Sequence, residues 1–245
     1  MKYVKFLQQV VFLFSSLVLL YSLFVVPTLY AWLWFAYAIL FVGIIISAFY
    51  HRQLTHRAWK CPRWLEYVLT ILAAGHALTP AISWTAIHRK HHRMSDTIED
   101  PHGPKIGFIN NALISFYKTD LKYAGRLLKD KLYMFQVNYY VHIAVVYFIV
   151  WSFIFGPTSW LIINGYAYIA QASINWITHK DGPLNLSHVH ALFFSGETYH
   201  KNHHIHPNEA TTGLVDLPYH LFIKVIDPEI SKRTPLWKAM DDSVK

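Results

Sequence analysis

Residues 6–50 read FLQQVVFLFSSLVLLYSLFVVPTLYAWLWFAYAILFVGIIISAFY, 45 positions without one Asp, Glu, Lys or Arg. A bilayer core takes roughly 20 apolar helical residues to cross. The stretch therefore holds two spans, and Pro27-Thr28 supplies the turn between them. Residues 139–178 form a second charge-free stretch, 40 positions long and divided at Gly156-Pro157-Thr158. Soluble helices have no need of such length. The expected fold is an all-α integral membrane protein, its four transmembrane helices paired as two hairpins at about 6–26, 29–50, 139–155 and 158–178.

Charge placement orients these hairpins. Lys2 and Lys5 precede the first, and every other Lys and Arg falls in 51–138 or from 180 onward. Basic flanks beside uncharged turns put both termini and 51–138 in the cytoplasm, with the chain multi-pass. One domain over 1–245 is expected, with 51–138 and 179–245 as a cytoplasmic helical cap. A cleaved leader would also fit the Lys-bearing start, but no small-residue cleavage site precedes the second span. Within the cap, 107–131 has amphipathic spacing, with Lys118, Lys122, Arg126 and Lys129 on the polar side of an expected surface helix. Hydrophobic residues at 54% against 15% charged argue against disorder and against a nucleic-acid partner. The single cysteine, Cys61, excludes an intrachain disulfide and a Cys-cluster zinc site.

Histidine is in excess: 16 His against 14 Asp and Glu together. Nine of them cluster beside the expected cytoplasmic helix ends. They are His51 and His56 in HRQLTH, His88, His91 and His92 in HRKHH, His179, and His200, His203 and His204 in HKNHH. Positions i, i+3 and i+4 share one helix face, so each H-x-x-H-H converges three imidazoles. The H-x-x-x-x-H pair does not share a face on a regular helix. It suits either a helix end that unwinds or two ligands of different metals. Residues 67–87 are uncharged and long enough to cross, but crossing would put His51 and His56 on the opposite side from His88, His91 and His92. That segment is expected to be re-entrant or to lie in the cap.

Nine imidazoles exceed the needs of one tetrahedral ion, so two metals are expected. Imidazole suits Zn, Cu, Fe or Ni, and ligand type does not choose among them. Arg52, Arg57, Arg89, Lys90, Arg93 and Lys201 crowd the motifs. They disfavour a cation conduit and suit either an anionic head group or the positive-inside rule.

The segments HRQLTHR (51–57), WTAIHRKHHRMSDTIEDPH (84–102), NWITH (175–179) and GETYHKNHHIHP (196–207) resemble the histidine boxes of the membrane fatty acid desaturases. The best fit is the acyl-CoA or acyl-lipid type, like the stearoyl-CoA desaturases, acting near carbon 9. The resemblance implies that the nine histidines hold two iron ions (Fe2+), with Asn175 reaching one through a water. Zinc would be a possible substitute in overexpressed protein. It also implies O2-dependent formation of a cis double bond in a saturated acyl chain. Electrons would come from a separate ferredoxin or cytochrome. No catalytic side chain beyond the metal centre is expected. Asp96, Glu99, Asp100, Glu197 and His102 are the candidates to hydrogen-bond the ligands from behind. A lipid or carotenoid hydroxylase or ketolase, and less readily a membrane metal carrier, remain the alternatives.

Overall fold

The computed structural model describes residues 2–112, 120–179 and 182–232. These are helical, with two isolated bridges, His179–Pro183 and Asn185–Tyr199, as the only extended pairing among them. Helix α1 (Lys2–Leu20) runs into a π-helical turn at Tyr21–Val25. Helix α2 (Leu29–Val42) continues without a break as π-helix over Gly43–Thr55. Thr28 caps α2 by accepting from the Ala31 N–H at 3.1 Å. Helices α6 (Lys131–Phe155) and α7 (Pro157–Ile177) form the second hairpin. Its turn uses Gly156 at φ 80° followed by Pro at the first helical position, a pairing that ends one helix and starts the next. The Tyr30 hydroxyl donates to Phe155 O at 2.8 Å, tying the two hairpin turns together.

Among the described residues, three helices are long and apolar enough to cross a membrane: Tyr3–Val25, Leu29–Thr55 and Lys131–Phe155. The expected fourth span, α7, is not among them, for a physical reason. It lies at the centre, packed on α1, α2, α5 and α6, and buries Asn164, Gly165, Ala167, Ala170 and Asn175. A helix enclosed by protein can carry small and polar residues that lipid would reject. At Gly165 the backbone of α1 comes so near that a Cβ would lie 2.4 Å from Ser15 O. By contrast, α6 turns Val146, Ile149, Phe153 and Ile154 outward, Phe153 being 93% exposed.

Helices α3 (Arg63–Gly75) and α4 (Ala81–Met94) form a third hairpin, which enters and leaves at the histidine end. Its turn reaches Tyr147, Trp151 and Trp160, far along α6 and near the start of α7. A non-helical turn at that depth needs partners for its backbone. Trp160 donates to Gly75 O (3.1 Å), Tyr168 and Gln8 to Ala77 O (2.8 and 3.2 Å), and Tyr140 to Leu78 O (2.7 Å). Residues 67–87 thus run into the bundle and back, so that His88, His91 and His92 lie at the same end as His51 and His56.

The surface helix expected over 107–131 is not continuous. Helix α5 (Phe108–Ala112) is short, and Leu121–Lys129 is 3-10 helix broken at Gly125 (φ 59°, ψ −129°). Lys118 lies outside the described residues. Two more short helices, α8 (His188–Phe193) and α9 (His200–Ile205), precede a last π and α turn at Tyr219–Ile226.

Candidate dimetal centre

All nine box histidines meet at one end of the bundle, and they divide into two groups. His51, His56, His88, His92 and His203 form one; His91, His179, His200 and His204 form the other. Within each group the donor nitrogens lie within 4.8 Å of one another. Each H-x-x-H-H motif splits between the groups, in opposite senses. On α4, His88 and His92 (i, i+4) serve the five-histidine group and His91 the other; on α9, His200 and His204 serve the four-histidine group and His203 crosses over. Three imidazoles of one turn therefore do not converge on one metal.

The π-helix explains the H-x-x-x-x-H pair. Hydrogen bonding from i to i+5 brings residue i+5 over residue i. His51 and His56 are so related, and their ring centroids lie 5.2 Å apart in the same group. The segment stays wound, as π-helix rather than as an unwound end, and the two rings share one histidine group.

Which nitrogen points inward follows from the partners behind. His51 Nδ1 donates to Glu197 Oε2 at 2.6 Å, His91 Nδ1 to Asp100 at 2.9 Å, and His179 Nδ1 to Asp96 at 3.1 Å. A neutral imidazole has one N–H, so these rings turn Nε2 lone pairs toward the group centres. His51, His92 and His203 then meet through Nε2 atoms at 2.8–2.9 Å, and His91, His204 and His200 at 3.1–3.2 Å. Facing lone pairs repel unless a cation lies between them. A metal–imidazole bond of about 2.1 Å spaces neighbouring donors roughly 3.0–3.4 Å apart, which these distances approach. The buried Nε2 atoms of His56 and His179 have no hydrogen-bond partner. Both observations fit two metal ions.

Burial disfavours the charged form of several of these imidazoles. His88, His91, His200 and His203 are pushed well below the ordinary histidine range by desolvation first and neighbouring imidazoles second. His204, more open, is lowered to about 4. Burial would raise Glu197, but His51, Arg52 and Ser47 together bring it down to about 2.

Relatives bear on what such a centre serves. A Delta-9 desaturase-like 4 protein of Arabidopsis thaliana is 31% identical over 72% of this chain and 67% of its own. The chain belongs to the fatty acid desaturases. An sn-1 stearoyl-lipid 9-desaturase of Synechocystis is 29% identical over 84% of this chain and 71% of its own. An acyl-CoA 5-desaturase of Anemone leveillei is 34% identical over 67% and 58%. No family model matches. As a desaturase with three apolar helices, the chain is a membrane oxidoreductase.

A desaturase needs an apolar approach to its metals, and one is present. A cleft of about 570 Å3, counted to its open mouth, runs between α2, α4 and α7. Val42, Ile46, Tyr166, Ala170, Ile174 and Phe194 line it together with His51, His88 and His200.

The remaining expected residues fall as follows. His102 Nε2 contacts His88 Nδ1 at 3.3 Å, and the Asn175 amide donates to His102 Nδ1 at 3.1 Å. Glu99 is exposed and holds no ligand. Arg52 and Arg89, grouped with the basic residues suited to an anionic head group, turn inward. Arg52 is 1% exposed and donates to Glu197 and Asp216. Arg89 donates to the carbonyls of Leu54, Thr55, Tyr123 and Ala124, pinning the end of the π-helix to α4. Ser47, Arg52 and Arg89 carried no signal beyond adjacency to a box, and Asp216, outside every box, carried none. Left-handed φ at Arg57, Asp96 and Ser195 marks three strained positions beside the centre.

Proposed function

We propose that this chain introduces a cis double bond into a saturated fatty acyl chain, carried as a CoA thioester or in a lipid, near carbon 9. The carrying observation is the five-and-four division of nine imidazoles, three of which line an apolar cleft. The relatives' names support the substrate class and the bond position. The reaction balances as –CH2–CH2– + O2 + 2 e− + 2 H+ giving –CH=CH– + 2 H2O. When bound, two iron ions would supply the O2-derived oxidant that an unactivated C–H bond requires.

The chain's own residues have the other tasks. His51, His56, His88, His92 and His203 would hold one iron, and His91, His179, His200 and His204 the second, with Asn175 reaching it through a water. Glu197, Asp100, Asp96 and His102 would fix ring orientation. The cleft walls align one acyl segment and keep water out. The two electrons come from a separate ferredoxin or cytochrome. The α6–α7 and α1–α2 hairpins cross the bilayer four times, with both termini and the metals on the cytoplasmic side.

The test is the lipid profile of a host expressing the full chain beside a His200→Ala variant. Monounsaturated chains should appear with the intact protein alone. Hydroxylated products would instead establish the hydroxylase alternative, and unchanged lipids with raised metal uptake would end the enzyme reading.

A further inference from the structure

We propose that Asp216 is a positioning residue for the five-histidine metal, acting through Arg52 and Glu197 on His51; this rests on the two-metal reading. Asp216 comes from the loop after α9 and is fully buried. Its Oδ2 accepts from Arg52 Nη1 at 2.6 Å, from Thr211 Oγ1 at 3.1 Å and from Thr212 N at 3.0 Å, while Oδ1 accepts from Tyr219 N at 3.1 Å. Arg52 reaches Glu197 with its other terminal nitrogen, at 3.1 Å. Glu197 divides its oxygens: Oε1 receives Arg52 and Ser47, and Oε2 receives His51 Nδ1. The four groups form one buried chain, Asp216–Arg52–Glu197–His51.

Charge explains why the chain needs its far end. Two carboxylates face one guanidinium, which leaves one negative charge in a buried place. Asp216 holds Arg52 at the shorter distance, so the surplus charge rests on Glu197 at the back of His51. There it strengthens the charge-assisted bond to Nδ1–H and makes Nε2 a better donor. Without the Asp216 charge, Arg52 has Glu197 as its sole counterion and draws that carboxylate toward itself. His51 then loses orientation and basicity. In the four-histidine group Asp100 and Asp96 hold His91 and His179, and among the described residues no hydrogen bond joins that group to this chain. Asp216 thus biases one metal position and not the other, and it couples the segment after α9 to the end of α2.

The test titrates the metal-free, detergent-solubilised full chain with Co2+, following ligand-field absorption, for wild type, D216N, E197Q and the double variant. D216N should weaken one of two Co2+ equivalents about tenfold, the lower end for partners behind a ligand. E197Q should weaken the same equivalent further, and the double variant should match E197Q, since both act through one carboxylate. Equal weakening of both equivalents, weakening of neither, or full additivity with E197Q would overturn the proposal. Should D216N unfold, Thr211→Val removes one bond to Asp216 and keeps the charge. It should weaken the same equivalent by a smaller factor, and an unchanged isotherm would count against the chain. The titration reads metal, not product, so failure to desaturate would leave this result standing.

Discussion

Replacing Asp100 with Asn tests how the four-histidine position is built. Asp100 is buried, and each oxygen has two donors: Oδ1 accepts from His91 Nδ1 and His102 N, Oδ2 from His91 Nδ1 and Asp96 N. An amide keeps the shape but turns one oxygen into a donor. Whichever way it lies, it faces a backbone N–H that it cannot satisfy. An unpaired buried donor costs about 1–3 kcal/mol. Loss of a ligand's outer partner weakens metal binding on the order of 10–100-fold, and about 1.4 kcal/mol corresponds to tenfold. The two estimates agree, so D100N should weaken one metal equivalent by at least tenfold. Competition against a chelator, read as two separate equivalents, measures this. The five-histidine equivalent should move much less, because Asp100 reaches it only through His102 and His88. Unchanged affinity, or equal loss at both positions, would refute the assignment.

Acid should destabilise the metal-free protein. Buried His88, His91, His200 and His203 titrate well below 6.5, so the unfolded chain binds more protons as pH falls. Their contribution is complete above about 6.5 and is lost below it, and thermal midpoints should fall between pH 7 and 5; a flat profile would contradict neutral burial. Glu197, lowered from 4.5 to about 2, acts in the same direction but further down, its contribution being lost between about pH 4.5 and 2. Gly165→Ala would force a Cβ against Ser15 O at 2.4 Å and should cost roughly 1–3 kcal/mol of overpacking, seen as a lower Tm in detergent. Helix α9 has six residues, too few to persist alone. Metal loading should therefore slow amide exchange across His200–Ile205 more than across α6, and equal slowing would argue against coupling.

The three long apolar helices were legible because lipid imposes a composition rule that local sequence obeys. The rule failed at α7, where neighbouring helices replace lipid and Asn164, Gly165 and Asn175 became admissible. The box histidines were legible as a set through their spacing. Their division between metals was not, because it depends on how α4 and α9 face one another. Periodicity misread 107–131, since Gly125 takes a conformation that ends regular turns. It also carried no sign that Gly43–Thr55 would wind as π-helix; H-x-x-x-x-H fits that winding and no regular α-helix. Arg52 and Arg89 looked like surface cations because sequence gives charge without direction. Their partners lie up to 164 residues away, a separation that no local pattern reports.

The crossed assignment of the two H-x-x-H-H motifs has a mechanical consequence. Each metal draws on α4 and on α9, and neither motif can complete one metal alone. The first group adds the end of α2 through His51 and His56, and the second adds the end of α7 through His179. The same α2 and α7 also form opposite walls of the apolar cleft. Two metals held this way would fix how far α2 and α7 stand apart beside His51, His88 and His200, which line the cleft with them. Short α9, which could not order itself, becomes a clamp between two long helices. In this arrangement the ligands that would hold the oxidant also set where along a bound acyl chain it can act.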